Sequence, residues 1–206
     1  MALELWLAFV TATTVFLLIP GPTLLLVIGY ALSYGRRPAL SAILGVALGD
    51  LVAMTVSLAG LGAVLATSAI FFSVLKWLGA GYLIYLGVKQ WRRRSVAVEN
   101  VEIAGVSNRT LILNAFLVTA LNPKSIMFFI AFLPHFIDPT LPALAQMMIL
   151  GTTFWVLAIL IASAYAFMSG TLGATFRSAR FRRKVDRLGG SALIGAGLLT
   201  ALMQRS

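Results

Sequence analysis

Two charged side chains stand where charge is costly. Asp50 lies in "GVALGDLVAMTVSLAG" with apolar or small residues on either side. Lys124 lies in "TALNPKSIMFFIAFLPHF", beside a proline and ahead of a run of Ile, Met, Phe, Ala and Leu. At a membrane helix centre an Asp or Lys costs about 2.5–3.5 kcal/mol, so such residues face a cavity or a partner and mark ion or substrate paths. The chemistry on offer is a carboxyl that can exchange a proton and an ammonium that can hold an anion. A structural Asp50–Lys124 ion pair is the plainer alternative. The two readings overlap, since a pair that opens and closes with protonation is a coupling device.

Backbone breaks accompany these charges. Proline removes a donor and clashes with the preceding helical turn. "IPGPT" therefore predicts unwinding near Gly21, and "LNPKS" predicts the same around Asn122–Pro123. Half-helices starting near Thr23 or Ser125 would aim their positive ends at an anion such as a carboxylate. Freed carbonyls would hold cations. The candidate substrate-binding residues are Gly21, Pro22, Thr23, Asn122, Pro123, Lys124 and Ser125, with Asp50 the candidate for proton coupling. Lys76 and Arg109 read as long side chains snorkelling near segment ends. Asp138 and His135 read as solvated loop residues, with sensing of external pH the minor alternative for His135.

The elements that must position these groups are membrane helices. Hydrophobic residues make up 60% of 206 positions, charged residues only 11%, and the mean hydropathy is +0.98. Soluble domains are about 45–50% apolar and about 25% charged, so lipid must be the solvent here. A span needs about 20 apolar residues. Six stretches qualify: about Leu5–Leu32, Ala39–Ala66, Ile70–Val88, Leu111–Leu133, Leu144–Met168 and Leu188–Met203. Each must be helical, because lipid satisfies no backbone hydrogen bond and the runs lack barrel-like alternation. The start, "MALELWLAFVTATTVFLLIPGP", lacks the basic n-region of a signal peptide and is expected to remain as the first span.

The net charge of +10 is distributed for topology rather than for nucleic acid. Arg36–Arg37, "KQWRRR" at Lys89–Arg94 and "RSARFRRKVDR" at Arg177–Arg187 follow the first, third and fifth stretches, and the alternate connections carry no Lys or Arg. The positive-inside rule places the basic connections in the cytoplasm and both termini outside. The polar connection "SVAVENVEIAGVSNRT" splits the chain into halves 1–94 and 111–206, with 95–110 a cytoplasmic linker. Three spans per half is the arithmetic of a 3+3 inverted-topology repeat. Pro22 and Pro123 fall at similar places in its two halves, so helices 1 and 4 are expected to be broken. Trp77, Tyr82, Tyr85, Trp91 and Trp155 read as interface anchors or packing residues, and Gly45–Gly49 as a close-packing GxxxG pair within the chain.

These residues also carry a resemblance. "PGPTLLLVIGYALSYGRRPALSAILGVALGD" (Pro20–Asp50), "LKWLGAGYLIYLGVKQWR" (Leu75–Arg92) and "NPKSIMFFIAFLPHFIDP" (Asn122–Pro139) resemble, in order and spacing, the LysE/RhtB family of amino-acid exporters. The resemblance implies a bacterial inner-membrane exporter of amino acids or their analogues, driven by the proton gradient, with threonine, homoserine, leucine or similar neutral cargo. Its motif positions are Pro20, Gly21, Pro22, Asp50, Asn122, Pro123 and Lys124. The expected partners are an amino acid, protons and lipid, with a homo-oligomer open and no nucleic acid.

No cofactor or metal is expected: there is no cysteine, one histidine and a single intramembrane carboxylate, Asp50. That ranks an inorganic-cation exporter second. An enzyme is not expected, since His135 has only Asp138 as an acidic neighbour. A non-transporting membrane subunit would leave the coincidence of charges and helix breaks unexplained.

Overall fold

The sequence punctuates its own helices. In the computed structural model, which describes residues 1–67, 69–92, 107–171 and 178–202, every regular element among the described residues is helical. Helix α1, Leu3–Leu18, stops ahead of Pro20, which disfavours helical backbone at Ile19; Ile19 is extended at φ −72°, ψ 113°. Gly21 is extended too, and α2, Pro22–Tyr34, starts with its proline in the first turn, where a missing N–H costs nothing. The axes of α1 and α2 differ by 53°. Gly35 closes α2 at φ 86°, a left-handed value that suits glycine.

Helix α3, Arg36–Thr67, and α4, Ala69–Trp91, follow without internal breaks. Helix α5, Asn108–Ala120, is capped by Ser107, whose Oγ accepts from the Thr110 N–H at 3.3 Å. Leu121 and Asn122 interrupt it, and α6, Pro123–Met127, again begins on a proline. Its C-terminal continuation widens into a π-helical turn at Phe128–Phe132 and then tightens into a 3-10 turn at Leu133–Phe136. Helix α7 is Ala143–Thr171 and α8 is Ala179–Leu202.

The predicted breaks in the first and fourth stretches are thus both present, and each restarts at its proline. Three helical segments among the described residues are long and apolar enough to cross a membrane: Arg36–Gly60, Asn108–Phe136 and Ala143–Ser169. The bent pair α1–α2 makes a fourth if counted as one span. The expected sixth stretch forms the C-terminal part of α8, which already starts within the basic run because no proline or glycine precedes Gly189 there. Arg93, Arg94, residues 95–106, Arg177, Arg205 and the side chain of Lys76 lie outside the described residues.

Helix α3 packs chiefly on α5, and α4 on α8. Small residues permit both approaches. A Cβ at Gly49 would sit 2.7 Å from the Phe116 carbonyl oxygen and 2.7 Å from Thr119 Cβ, and one at Gly45 would strike the Ile112 carbonyl. The Gly45–Gly49 pair is therefore an intrachain contact, as expected. Gly87 and Gly190 abut each other's carbonyls across α4 and α8 in the same way. Phe9, Phe16, Phe128, Phe129 and Phe154 form the aromatic centre of the core. Trp155, read as packing or anchoring, donates from Nε1 to the Ala47 carbonyl at 2.8 Å.

Candidate functional site

Lys124 is held from both ends. The Asn122 side chain caps α6 by accepting the Lys124 backbone N–H on Oδ1 at 3.1 Å. Pro123 fixes the first turn. The Lys124 stem then passes Gly21, where an added Cβ would lie 3.1 Å from Lys124 Cδ. Its Nζ donates to the Phe16 carbonyl at 2.8 Å and the Ile19 carbonyl at 2.6 Å, and lies 4.4 Å from the centroid of the Phe16 ring. The Phe128 ring lies against that of Phe16, tilted by 36° with 4.4 Å between centroids. The lysine is only 7% exposed.

The break after α1 explains this geometry. A helix end leaves its last carbonyls without intrahelical partners, and inside a membrane each must be satisfied by protein. Lys124 takes those of Phe16 and Ile19. The Tyr165 hydroxyl of α7 donates to the Leu18 carbonyl at 2.9 Å, and Gln90 Nε2 of α4 donates to the Pro20 carbonyl at 3.3 Å. Gly189 of α8 leaves the space Gln90 needs: a Cβ there would stand 2.7 Å from Gln90 Nε2. Three elements remote in sequence thus close on one unwound segment.

The two breaks are tied together directly. Asn122 Nδ2 donates to Thr23 Oγ1 at 3.2 Å, and Thr23 Oγ1 shares a hydrogen bond with Thr119 Oγ1 at 3.2 Å. Asp50, midway along α3, is buried at 4% exposure and shares a cavity of about 40 Å³ with Lys124, Gly21, Thr23, Asn122 and Ser125. The apolar part of the wall includes Leu24, Val46, Ala158, Ile161 and Ala162. Of the candidates, Gly21, Thr23, Asp50, Asn122, Lys124 and Ser125 therefore converge. Pro22 and Pro123 are exposed and shape the backbone without lining the cavity. Lys124 directs its hydrogen bonds to carbonyls rather than to Asp50, although the two charges lie within electrostatic reach. No group of three or more His, Cys, Asp or Glu that could hold a metal occurs among the described residues.

Phe16, Gln90, Thr119 and Tyr165 belong to this site and were not among the expected residues. None is ionisable near neutral pH, and only tertiary contact brings them to the breaks. The outer connection also differs from expectation at one residue. His135 is half-buried in the 3-10 turn, with Nδ1 3.2 Å from the Phe132 carbonyl, instead of free in solvent, because the helical backbone runs on through Phe136. Asp138 behaves as a loop residue: it accepts from the Thr140 hydroxyl at 2.7 Å and the Thr140 N–H at 2.9 Å, and these bonds hold its carboxyl below the ordinary 3.8.

The architecture is that of an all-helical membrane protein with a polar site buried between two interrupted helices. Residues 14–204 match the family model described as LysE type translocator, and the chain belongs to that family. It is similar, at 33% identity over 98% of both chains, to the homoserine/homoserine lactone efflux protein of Salmonella typhi. At 31% identity over 94% of this chain and 90% of the relative, it is similar to the leucine efflux protein of Enterobacter sp. (strain 638). An uncharacterized membrane protein of Vibrio cholerae is 35% identical over 98% of both chains. No solved structure matches.

Proposed function

We propose that this protein exports amino acids or close analogues from the cytoplasm across the bacterial inner membrane in exchange for protons. The observation that carries the reading is the convergence of a buried ammonium, a buried carboxylate and two unwound backbone segments on one cavity. A zwitterion offers a carboxylate to Lys124 and the N-terminus of the half-helix that Pro123 opens, and an ammonium to Asp50 and freed carbonyls. A proton on Asp50 competes with that ammonium, and antiport follows from the competition. Relatives named as efflux proteins for homoserine/homoserine lactone and for leucine point to small cargo that carries an α-amino group.

The cavity of about 40 Å³ admits water-sized guests, which need roughly 10–15 Å³ each. An amino acid therefore requires the break region to open, as alternating access demands. In this reading α1–α2, α3 and α4 form one half and α5–α6, α7 and α8 the other. The halves are inverted relative to each other, with six spans and both termini outside. Pro22 and Pro123, each at the first turn of its half-helix, support that correspondence.

The test is counterflow of labelled amino acids in liposomes. Wild-type protein accelerates uptake of its cargo, and Asp50→Asn and Lys124→Gln, inserted at normal levels, lose at least about 10-fold, the cost of roughly 1.4 kcal/mol of lost binding. Wild-type rates from both variants would refute the assignment.

A further inference from the structure

We infer that the carbonyl end of α1 is a binding site for a primary ammonium group, which Lys124 fills from within the chain until a substrate ammonium takes its place. The site is built from three parts: the carbonyl oxygens of Phe16 and Ile19 and the face of the Phe16 ring. Two short charge-assisted hydrogen bonds and a ring within about 6 Å are the components by which proteins recognise R–NH₃⁺. Tyr165 and Gln90 take the neighbouring Leu18 and Pro20 carbonyls out of competition. Phe128 packs against the same ring, with 4.4 Å between centroids.

Charge balance sets which ligand can replace the lysine. Among the described residues, Asp50 is the one carboxylate lining the cavity. A bare alkylammonium entering beside Lys124 would put two cations against it, at high cost in a low-dielectric site. A zwitterion adds no net charge: its ammonium moves onto the two carbonyls while Lys124 turns to its carboxylate. Lys124 is then both the occupant that keeps the empty transporter closed and the group that receives the other end of the cargo. The exchange step rests on the transport reading above; the ammonium site itself rests on geometry alone.

Lys124→Ala removes the resident ammonium together with a three-carbon stem, so n-propylammonium is the matching probe. Purified Lys124→Ala protein shows a saturable rise in unfolding temperature with n-propylammonium, none with tetramethylammonium, which has no N–H to donate, and wild type responds to neither. No response of Lys124→Ala, or an equal response to both cations, overturns the inference. If Lys124→Ala does not survive extraction, counterflow on Phe16 variants decides it. Phe16→Leu then raises KM about 3- to 30-fold with kcat changed less, and Phe16→Tyr restores it, the range expected for a cation–π contact. An unchanged KM in Phe16→Leu overturns the site. Selective stabilisation of Lys124→Ala in a protein whose wild type shows no counterflow leaves the ammonium site standing and removes the transport reading instead.

Discussion

Asn122 does two jobs with one side chain, and they can be separated. Its oxygen caps α6 and its amide nitrogen ties α6 to Thr23 on α2. Asn122→Ala loses both and is expected to cost about 0.5–2 kcal/mol from the cap alone. Asn122→Asp keeps the cap and recovers most of that loss, measured as thermal unfolding in detergent. Gly21→Ala is expected to act differently. Its methyl presses on the Lys124 stem, so transport rate falls more than stability, as paired counterflow and unfolding measurements would show. At this scale the sequence revealed charges, because burying an Asp or Lys among apolar residues needs a reason. It concealed Phe16, Thr119 and Tyr165, since an aromatic ring or a hydroxyl in a membrane helix is ordinary until its partner is known. Gln90 was hidden further by its setting in "KQWRRR", where the surrounding cations read as topology signals.

Helix interruptions were legible because proline has a fixed φ and no N–H, so "IPGP" and "NPK" announce both breaks and both restarts. The π-helical turn at Phe128–Phe132 was not, since "FFIAF" carries nothing that distinguishes it from a plain helical run. Close helix packing gives a prediction of its own. Gly49→Leu forces a side chain into the Phe116 carbonyl and Thr119, and overpacking of this kind costs about 1–3 kcal/mol or more. Because Thr119 hydrogen-bonds Thr23, transport activity falls as well. In the outer connection, the Thr140 bonds depress the Asp138 pKa. Their stabilising effect is full above the ordinary 3.8 and fades as pH falls through the lowered value. Thr140→Val should therefore lower the unfolding temperature slightly at neutral pH, with the difference from wild type vanishing in strong acid. An effect that grew on acidification would contradict the assigned bonds.

The whole molecule was legible as a helical membrane protein from two features: 60% apolar residues leave no other solvent but lipid, and long apolar runs without alternation leave helix as the way to cross it. Its count of spans and the relation of its halves rest on charge alternation and paired prolines, which report topology only indirectly. Arg37 and Thr140, both exposed, lie on opposite sides of the membrane if the halves are inverted. The chain has no cysteine, so Arg37→Cys and Thr140→Cys can each be labelled singly. An impermeant thiol reagent added to intact cells is expected to reach Thr140→Cys and not Arg37→Cys. Equal labelling of the two would dismiss the inverted arrangement.

The acceptors that grip Lys124 are main-chain oxygens of Phe16 and Ile19, which no codon change can delete. In the proposed site, selection therefore has little purchase on the ammonium grip and must work on the side chains around it. If the proposed site binds cargo, Leu24, Val46, Ala158, Ile161 and Ala162 are the positions where a new cargo would be accommodated, by trading bulk at the wall while the grip on its ammonium group stays the same.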